Sequence, residues 1–531
     1  MTTITIEAIA LPLFLGFSIY LLPKFDRYLA LGVAIVSTAY GLQIMFNQPP
    51  VTVELLDHFG VTLLVDELSG YFILTNGLVT LAVILYCWGQ GKTAFFYTQA
   101  IILHGSVNAV FLCEDFISLY VALEVISIAS FLLIAYPRTD RSIWVALRYL
   151  FIGNTVMLFY LIGVALVYKA HHSFDYAGLH GSPPEAIALI FMALLAKGGI
   201  FVSGLWLPLT HSESETPVSA LLSGVVVKTG VFPLLRLALV VPEVDPIVRI
   251  FGVGTALLGV SCAVFEKDAK RMLAFHTISQ LGFILAAPAV GGFYALTHGL
   301  VKSSLFLGAG NLPTRNFKEL QYRPIATSLW IPLVMASFSI SGVPLFAGFG
   351  AKVLSMKNLL PWQAIPMNVA AVGTAISFAK FIFLPHERQE DVSSRGSAMA
   401  VPAPEDVSSR GSAAVPAPEK EITATDVSDA PQEAPKTQEK QKTIQPGFWW
   451  ATIALIGGLI LGNAIYLKAY TIANISKSLV TIAIGWSAYW LIFKRASVKL
   501  PRVLEEFEHL IGVMALMLIA LFWMVLGIVK P

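Results

Sequence analysis

Long apolar segments follow one another along almost the whole chain, and each is about as long as a lipid bilayer is thick. About 20 helical residues cross the hydrocarbon core of a bilayer, which is about 30 Å thick. By this measure the chain contains about sixteen candidate membrane spans, which we number in order as segments 1 to 16. They lie near residues 5–22, 28–46, 65–88, 97–112, 115–135, 143–168, 187–209, 217–241, 247–265, 271–289, 293–310, 328–356, 362–384, 448–470, 474–493 and 507–529.

Polar residues are too scarce for a globule in water. Hydrophobic residues make up 56% of the 531 residues and charged residues only 13%, whereas a soluble protein carries about 25% charged residues. The first residues, MTTITIEAIALPLFLGFSIYLLPKF, have no basic start and no small-residue cleavage site, so we expect a membrane helix and not a removable signal. The chain is therefore predicted to be an all-α polytopic membrane protein, and we expect no nucleic-acid partner.

Lysine and arginine are distributed unevenly between the connections. Connections after odd-numbered segments hold most of them: Lys24, Arg27, Lys92, Arg138, Arg141, Lys267, Lys270, Arg271, Arg315, Lys318, Arg323, Lys494, Arg495, Lys499 and Arg502. Connections after even-numbered segments hold few, mainly Lys169, Lys357 and Lys477. Since cytoplasmic loops carry an excess of Lys and Arg, we predict that every odd-to-even connection is cytoplasmic and that both termini lie outside.

Residues 386–446, between segments 13 and 14, differ in composition from the rest. They are rich in Pro, Ala, Ser, Glu and Lys, and EDVSSRGSAMAVPAPE from Glu390 is followed by the similar EDVSSRGSAAVPAPE from Glu405. A segment with so few apolar residues cannot bury enough surface to fold. We predict a disordered cytoplasmic linker that acts as a spacer; a protein-binding segment is the alternative.

Cysteine usage gives no sign of a redox centre. The chain has three cysteines, Cys87, Cys113 and Cys262, each alone in an apolar stretch without the spacing of metal or iron–sulfur ligands. No glycine-rich phosphate loop follows a strand pattern. We therefore expect no cofactor and no metal bound by this chain.

Several ionisable residues lie inside the apolar segments, where a charge costs roughly 2.5–3.5 kcal/mol even on the lenient insertion scale. The principal ones are Glu124, Lys197, Lys228, His298 and Lys352, with Lys302 one turn beyond His298. Each has a simpler interpretation: His298 as a core histidine with satisfied nitrogens, Lys302 as a snorkelling side chain or the partner of a backbone carbonyl. Glu124 needs a partner in mid-helix, and a lysine from another segment is the natural one.

The number of such charges on separate segments favours a proton relay over a single structural ion pair. Burial disfavours the charged form of a lysine and a nearby carboxylate favours it. Such a lysine can hold or release its proton as a carboxylate approaches, and its flexible stem can swing between acceptors.

Helix breakers interrupt segments 7 and 12 close to two of these lysines. Gly198, Gly199, Gly204 and Pro208 follow Lys197, while Gly342, Pro344, Gly348 and Gly350 precede Lys352. Interrupted segments at corresponding positions of two halves indicate the central site of a transporter. Because segments 7 and 12 are five apart, we predict inverted five-helix repeats, segments 4–8 (97–241) and 9–13 (247–385), flanked by membrane helices over 1–96 and 447–531.

These residues resemble the antiporter-like subunits shared by respiratory complex I and the Mrp-type multisubunit cation:proton antiporters. The resemblance covers about residues 60–385. It rests on Glu124 in segment 5; Lys197, Trp206–Pro208, His211 and Ser212 in segment 7; Lys228–Gly230 in segment 8; His298, Gly299 and Lys302 in segment 11; Gly342–Pro344, Gly348, Phe349 and Lys352 in segment 12; and KDAKRMLAFHTISQLGF from Lys267.

The chain also departs from the family pattern. The family usually has prolines and a histidine between the lysine of segment 7 and the Trp-Leu-Pro, where this chain has Gly199, Val202 and Gly204. Lysine at position 352 is similar to the D-type Mrp subunit, whereas one type of complex I subunit carries glutamate there. The family core has about fourteen helices, so two C-terminal helices and the linker are additional.

The resemblance implies a proton relay through Glu124, Lys197, Lys228, His298 and Lys352, with His211 and Lys302 in secondary roles. It implies a subunit of a hetero-oligomeric membrane complex, in an energy-transducing membrane such as the bacterial inner membrane, that exchanges protons for a monovalent cation such as Na⁺. Two alternatives stay open: a proton-pumping subunit of an NADH or ferredoxin:quinone oxidoreductase, whose redox centres lie in partner chains, and a non-transporting scaffold.

Overall fold

The computed structural model describes residues 2–47, 49–55, 61–387, 444–494 and 503–528. Its α-helices are α1 (Thr2–Leu21), α2 (Asp26–Asn47), α3 (Glu67–Cys87), α4 (Ala94–Val110), α5 (Phe116–Ile134), α6 (Asp140–His171), α7 (Pro184–Gly198), α8 (Leu207–Glu213), α9 (Thr216–Leu221), α10 (Lys228–Val240), α11 (Asp245–Phe265), α12 (Ala269–Ala286), α13 (Gly291–Ala309), α14 (Phe317–Leu320), α15 (Thr327–Ser341), α16 (Ala347–Lys357), α17 (Pro361–Ile382), α18 (Pro446–Leu461), α19 (Ile472–Ala488) and α20 (Phe507–Ile528).

Short strands form two small pairs among the described residues. Strands β1 (Val51–Leu55) and β2 (Val61–Val65) pair antiparallel, with Val53 opposite Leu63. Strands β3 (Ile325–Ala326) and β4 (His386–Glu387) pair parallel. Of the predicted linker over 386–446, β4 and residues 444–446 are described; residues 388–443, with the tandem repeat, lie outside the described part of the chain.

The chain is an integral multi-pass membrane protein. Among the described residues, twelve helical stretches are long and apolar enough to cross a membrane, or up to thirteen when α12 and α13, which meet at a bend of 104°, count as one span. The predicted all-α polytopic fold is confirmed. The predicted number of about sixteen spans is not confirmed.

The difference in the number of spans has a local cause. Each predicted segment coincides with a helix, but α4 has only 17 residues, and segment 12 is divided into α15 and α16 of 15 and 11 residues. Helix α12 begins with charged side chains, Lys270 and Arg271, which lower its hydropathy. The sequence pattern predicted the positions of these helices correctly. Each of them is too short or too polar to count by itself as a membrane span.

Both predicted helix breaks are present. Gly199, whose φ is +69°, follows the last residue of α7 and caps it, and a 3-10 turn over Phe201–Trp206 leads on to α8. Gly342, whose φ is +89°, caps α15 in the same way, and α16 begins at Ala347. Glycine adopts positive φ without the steric cost that a Cβ brings, so each helix can stop at membrane depth and leave its last carbonyl groups free for other partners.

Segment 8 contains an irregularity that the sequence did not reveal. Between α9 and α10 the chain forms a π turn over Leu222–Val226. A π turn shifts the backbone hydrogen-bond pattern and often marks a functional site. Here it ends two residues before Lys228.

The last helix returns to the break of segment 7. Helix α20 packs against α7 and the 3-10 turn that follows it, whereas α19 packs against α17. Arg271 at the start of α12 anchors this arrangement through Glu505, at 2.6 Å, and Glu266, at 3.2 Å.

A second ion pair joins α3 to α10. The Arg236 guanidinium donates to both carboxylate oxygens of Asp66, which also caps α3 by accepting from the Ser69 amide at 2.9 Å. Burial on its own raises the pKa of Asp66, but the hydrogen bonds and charge of Arg236 outweigh it and hold that pKa below its usual range.

Candidate functional site

Glu124 and Lys197 face each other across α5 and α7. The Lys197 ammonium lies 3.9 Å from the Glu124 carboxylate and 2.5 Å from the Ser127 hydroxyl, one turn along α5. The Lys197 side chain is 9% exposed and that of Glu124 24%. Glu124 was expected to have a lysine from another segment as its partner, and that lysine is Lys197.

Two local features make room for the Lys197 charge. Lys197 lies in the last turn of α7, where the carbonyl end of a helix favours a cation by about 0.3–1 kcal/mol. On the opposite side, Gly153 of α6 has no side chain; a Cβ there would lie only 3.1 Å from the ammonium nitrogen. Because of the break at Gly199, this helix end lies inside the protein.

Lys228 is fully buried beside the π turn of segment 8. Its ammonium donates to the carbonyl of Gly224 at 2.5 Å and lies 3.4 Å from that of Ser223. Gly299 of α13 lies against it, since a Cβ there would be 3.5 Å from the nitrogen. Backbone carbonyl groups of the irregular turn, and no described carboxylate, therefore hold this lysine.

His298 is buried next to this contact. Neither ring nitrogen has a hydrogen-bond partner among the described residues. The ring borders a cavity of about 10 Å³, which Gln280, Ser339 and Gly348 also line. Such a space holds about one water, and it connects His298 with the break in segment 12.

Lys302 is fully buried and does not snorkel. Its ammonium donates to the Leu273 carbonyl at 2.9 Å and lies 5.5 Å from the centre of the Phe378 ring. Of the two simpler interpretations of Lys302, the structure shows the backbone carbonyl partner. That partner, Leu273, lies within α12 and not at a helix end.

His211 of α8 is also buried. Its ring lies between Trp206 and Phe306, with centroid distances of 6.2 and 5.9 Å, and neither nitrogen has a described hydrogen-bond partner. The Ser219 hydroxyl donates to the His211 carbonyl at 2.7 Å and accepts from Lys270 at 3.5 Å. This serine links His211 to the cavity where Lys270 lies.

Lys352 uses the carbonyl group that the second break exposes. Its ammonium donates to Ser341, the last residue of α15, at 3.1 Å, and lies 5.9 Å from the Phe283 ring centre. The side chain is 8% exposed and lines a cavity of about 100 Å³ that opens to the surface.

A larger polar cavity, which we call the polar mouth, opens among connections predicted to be cytoplasmic. It has a volume of about 430 Å³, and its charged lining residues are Lys92, Glu213, Glu215, Lys270 and Arg315. Lys92 pairs with Glu215 at 2.8 Å, while Lys270 reaches inward to the Ser214 carbonyl at 3.0 Å. The mouth therefore connects the surface with the region of His211.

The sequence analysis missed His276 of α12. This histidine is fully buried, neither nitrogen has a described hydrogen-bond partner, and its ring meets the Phe378 ring edge-on at 4.5 Å. It lies within electrostatic range of Lys302 and Lys352. The rule that singled out His298, an ionisable residue inside an apolar segment, applies equally to LAFHTISQLGF.

The ionisable residues thus form two groups. Glu124 and Lys197 make one, at the first break. Lys228, His298, Lys302 and His276 make the other, continued by Lys352 at the second break. No group of three or more His, Cys, Asp or Glu side chains in the described part of the chain is placed to hold a metal ion.

Known proteins match this chain over most of its length. The model of the family described as NADH:quinone oxidoreductase/Mrp antiporter, transmembrane, matches residues 113–377. The N-type subunit of NADH-quinone oxidoreductase from Desulforudis audaxviator is 31% identical over 363 residues, which are 61% of this chain and 72% of the relative. The D-type subunit of the Na⁺/H⁺ antiporter from Alkalihalophilus pseudofirmus is 26% identical over 395 residues, 66% of this chain and 80% of the relative.

A solved structure shares the fold. A chain of the membrane-bound sulfane sulfur reductase, an archaeal respiratory membrane complex, superposes with a TM-score of 0.69 at 18% identity, covering 92% of this chain and 99% of that one.

Proposed function

Because the chain belongs to the NADH:quinone oxidoreductase/Mrp antiporter transmembrane family, we propose that it is the proton-translocating membrane subunit of a multisubunit cation/proton antiporter. Na⁺ is the cation proposed for exchange, by analogy with the Na⁺/H⁺ antiporter relative. Its partners are the other membrane subunits of that complex. The proton path runs through Glu124, Lys197, Lys228, His298 and Lys352, with His211 and Lys302 beside it.

The observation that carries the proposal is the Glu124–Lys197 pair at the end of a broken helix. An ion pair kept only for stability is a weak choice, because well-packed apolar residues often serve as well or better. Besides the pair, a second group of buried lysines, and of histidines without described hydrogen-bond partners, lies on α10, α12, α13 and α16. A row of this kind offers successive sites that can bind and release a proton.

Three cavities mark a route along the row. The polar mouth leads through Lys270 and Ser219 to the backbone carbonyl group of His211. The small cavity at His298 reaches Ser339 and Gly348 of segment 12. The cavity at Lys352 opens to the surface, so we propose entry at the mouth and exit at Lys352.

The second candidate is a proton-pumping subunit of an NADH or ferredoxin:quinone oxidoreductase. It is favoured by the 31% identity to the N-type oxidoreductase relative. In that case partner chains hold the redox centres, and this chain contributes the same proton path.

Inside-out membrane vesicles that contain the complex distinguish the two functions. For an antiporter, adding NaCl to vesicles with an acidified lumen collapses the pH gradient, which a fluorescent amine reports. For an oxidoreductase subunit, NaCl has no effect, and acidification follows the oxidation of NADH or ferredoxin and stops with a quinone-site inhibitor. A scaffold predicts that substitutions in the row leave either activity unchanged.

We propose that both termini lie outside and that the 386–446 linker is cytoplasmic. The proposal is supported by the basic residues, which are concentrated in the odd-to-even connections. A phosphatase fused after Pro531 should be active, because that enzyme works only outside, whereas a fusion within the linker should be inactive. The opposite activities would reverse the orientation.

We propose that His276 is a further member of the relay, between Lys302 and Lys352. Replacing His276 with Gln keeps a polar side chain but removes the proton-carrying ring, so transport per assembled complex should fall by about tenfold or more. His104→Gln is the matched control, since His104 is equally buried but its nitrogens already contact Ser37 at 2.7 Å and Thr80 at 3.0 Å. Normal transport by the His276→Gln complex would remove this residue from the path.

A further inference from the structure

The cavity at Lys352, which we call the lysine cavity, lies between α16, α17 and α19. Its volume is about 100 Å³, and three lysines line it: Lys352, Lys357 and Lys477. Its lining contains no acidic side chain among the described residues. The cavity therefore brings together three positive charges from two separate parts of the chain.

Nothing in the described part of the chain neutralises these charges. Lys352 is held by the Ser341 carbonyl, while the side chains of Lys357 and Lys477 are exposed, and their ammonium groups make no hydrogen bond or ion pair with described residues. Like charges that line one cavity repel one another. An anion bound among them would relieve that repulsion.

Amide groups on the walls add directed donors. Asn368 of α17 uses one N–H on the Ala364 carbonyl at 2.7 Å, and Asn474 of α19 uses one on that of Ala469 at 2.8 Å. A side-chain amide has two N–H groups, so each asparagine has another to offer. Ammonium and amide donors around one cavity suit an oxyanion such as a phosphate ester.

The surface beside the cavity is apolar and faces outward. Ile365 and Val369 on α17 are 78% and 57% exposed, and Val480 on α19 is 57% exposed. An exposed apolar patch on a membrane protein is suited to contact with lipid tails. A ligand with a phosphate head and hydrocarbon chains would match both parts of this site.

We propose that the lysine cavity binds the phosphate of an acidic phospholipid headgroup. A lipid headgroup and a free phosphate share this oxyanion chemistry, and the apolar surface beside the cavity favours the lipid. The binding itself does not depend on the transport function. A consequence that rests on the proposed function is that the bound phosphate favours the charged form of Lys352 and so tunes proton release.

The test measures lipid retained by the complete purified complex. The complex is reconstituted into nanodiscs of phosphatidylcholine with or without phosphatidylglycerol, then extracted, washed and examined by native mass spectrometry. Wild type should retain phosphatidylglycerol, and Lys477→Ala and Lys357→Ala should each lower its affinity about fivefold, the effect of roughly one basic residue. Lys169→Ala, an exposed lysine in another even-to-odd connection, is the matched control.

A parallel arm with inorganic phosphate and lipid-free detergent complex separates the two sources of phosphate. Lysine-dependent protection against thermal unfolding by inorganic phosphate, without retained lipid, would support the anion site and assign its ligand to the aqueous phase. Equal retention of phosphatidylglycerol by wild type and the Lys357→Ala, Lys477→Ala double variant, with no phosphate effect, would overturn the proposal. The Glu124→Gln complex should retain lipid normally. Loss of transport and loss of lipid binding can therefore be distinguished in the same set of variants.

Discussion

Glu124→Gln is expected to lower proton-coupled transport per assembled complex by at least about tenfold while the protein still reaches the membrane. Glutamine keeps the shape of the side chain but removes the charge that lies 3.9 Å from Lys197. The Ser127 hydroxyl remains as a hydrogen-bond partner, so the lysine is still held but no longer faces a carboxylate that favours its charged form. Transport and membrane abundance are measured in the same vesicles.

Glu243→Gln is the matched control for this variant. Glu243 pairs with His180 at 2.7 Å on the surface, where both side chains are at least 36% exposed, and such pairs contribute only about 0–1 kcal/mol. Transport by the control should be normal. Equal transport by Glu124→Gln and wild type would exclude the pair from the proton path.

The helices could be predicted from the sequence because bilayer thickness sets a length that apolar runs must meet. The breaks were also predictable, because glycines and a proline cluster beside Lys197 in segment 7 and beside Lys352 in segment 12, and interrupted segments at corresponding positions indicate a transporter's central site. Strands β1 and β2 were missed because they are short and lie between two segments. The packing of α20 against α7 could not be predicted either, because the uniformly apolar sequence of α20 does not indicate which helix it packs against.

The site could be predicted where the free-energy cost of a charge inside the membrane requires an oppositely charged partner. A buried carboxylate at Glu124 demands a cation, and a lysine from another segment was the natural source. The positions of Lys228 and Lys302 depend instead on backbone carbonyls of Gly224 and Leu273. Every residue has a carbonyl group, so no sequence pattern identifies these partners.

Lys352 is the position where a proton carrier and a fixed charge can be told apart. Arginine keeps the positive charge and can still donate to the Ser341 carbonyl, but its pKa above about 12 prevents it from releasing a proton. Lys352→Arg should therefore lower transport by at least about tenfold and preserve folding. The resemblance to a family in which one type of complex I subunit carries glutamate at this position implies that Lys352→Glu should keep partial activity.

A purely structural role predicts the reverse order. Arginine would be tolerated, since its guanidinium can lie over the Phe283 ring as the ammonium does, at 5.9 Å. Glutamate would place a carboxylate against the Ser341 carbonyl oxygen, and the unfavourable contact would lower the membrane abundance of the complex.

The most direct test of the proton relay is therefore the initial rate of proton movement in proteoliposomes that contain equal amounts of assembled wild-type, Lys352→Arg or Lys352→Glu complex, followed with a pH-sensitive dye. The relay predicts that the Lys352→Arg complex is assembled but nearly inactive and that the Lys352→Glu complex retains part of the wild-type rate. A Lys352→Arg complex that moves protons at the wild-type rate would contradict it.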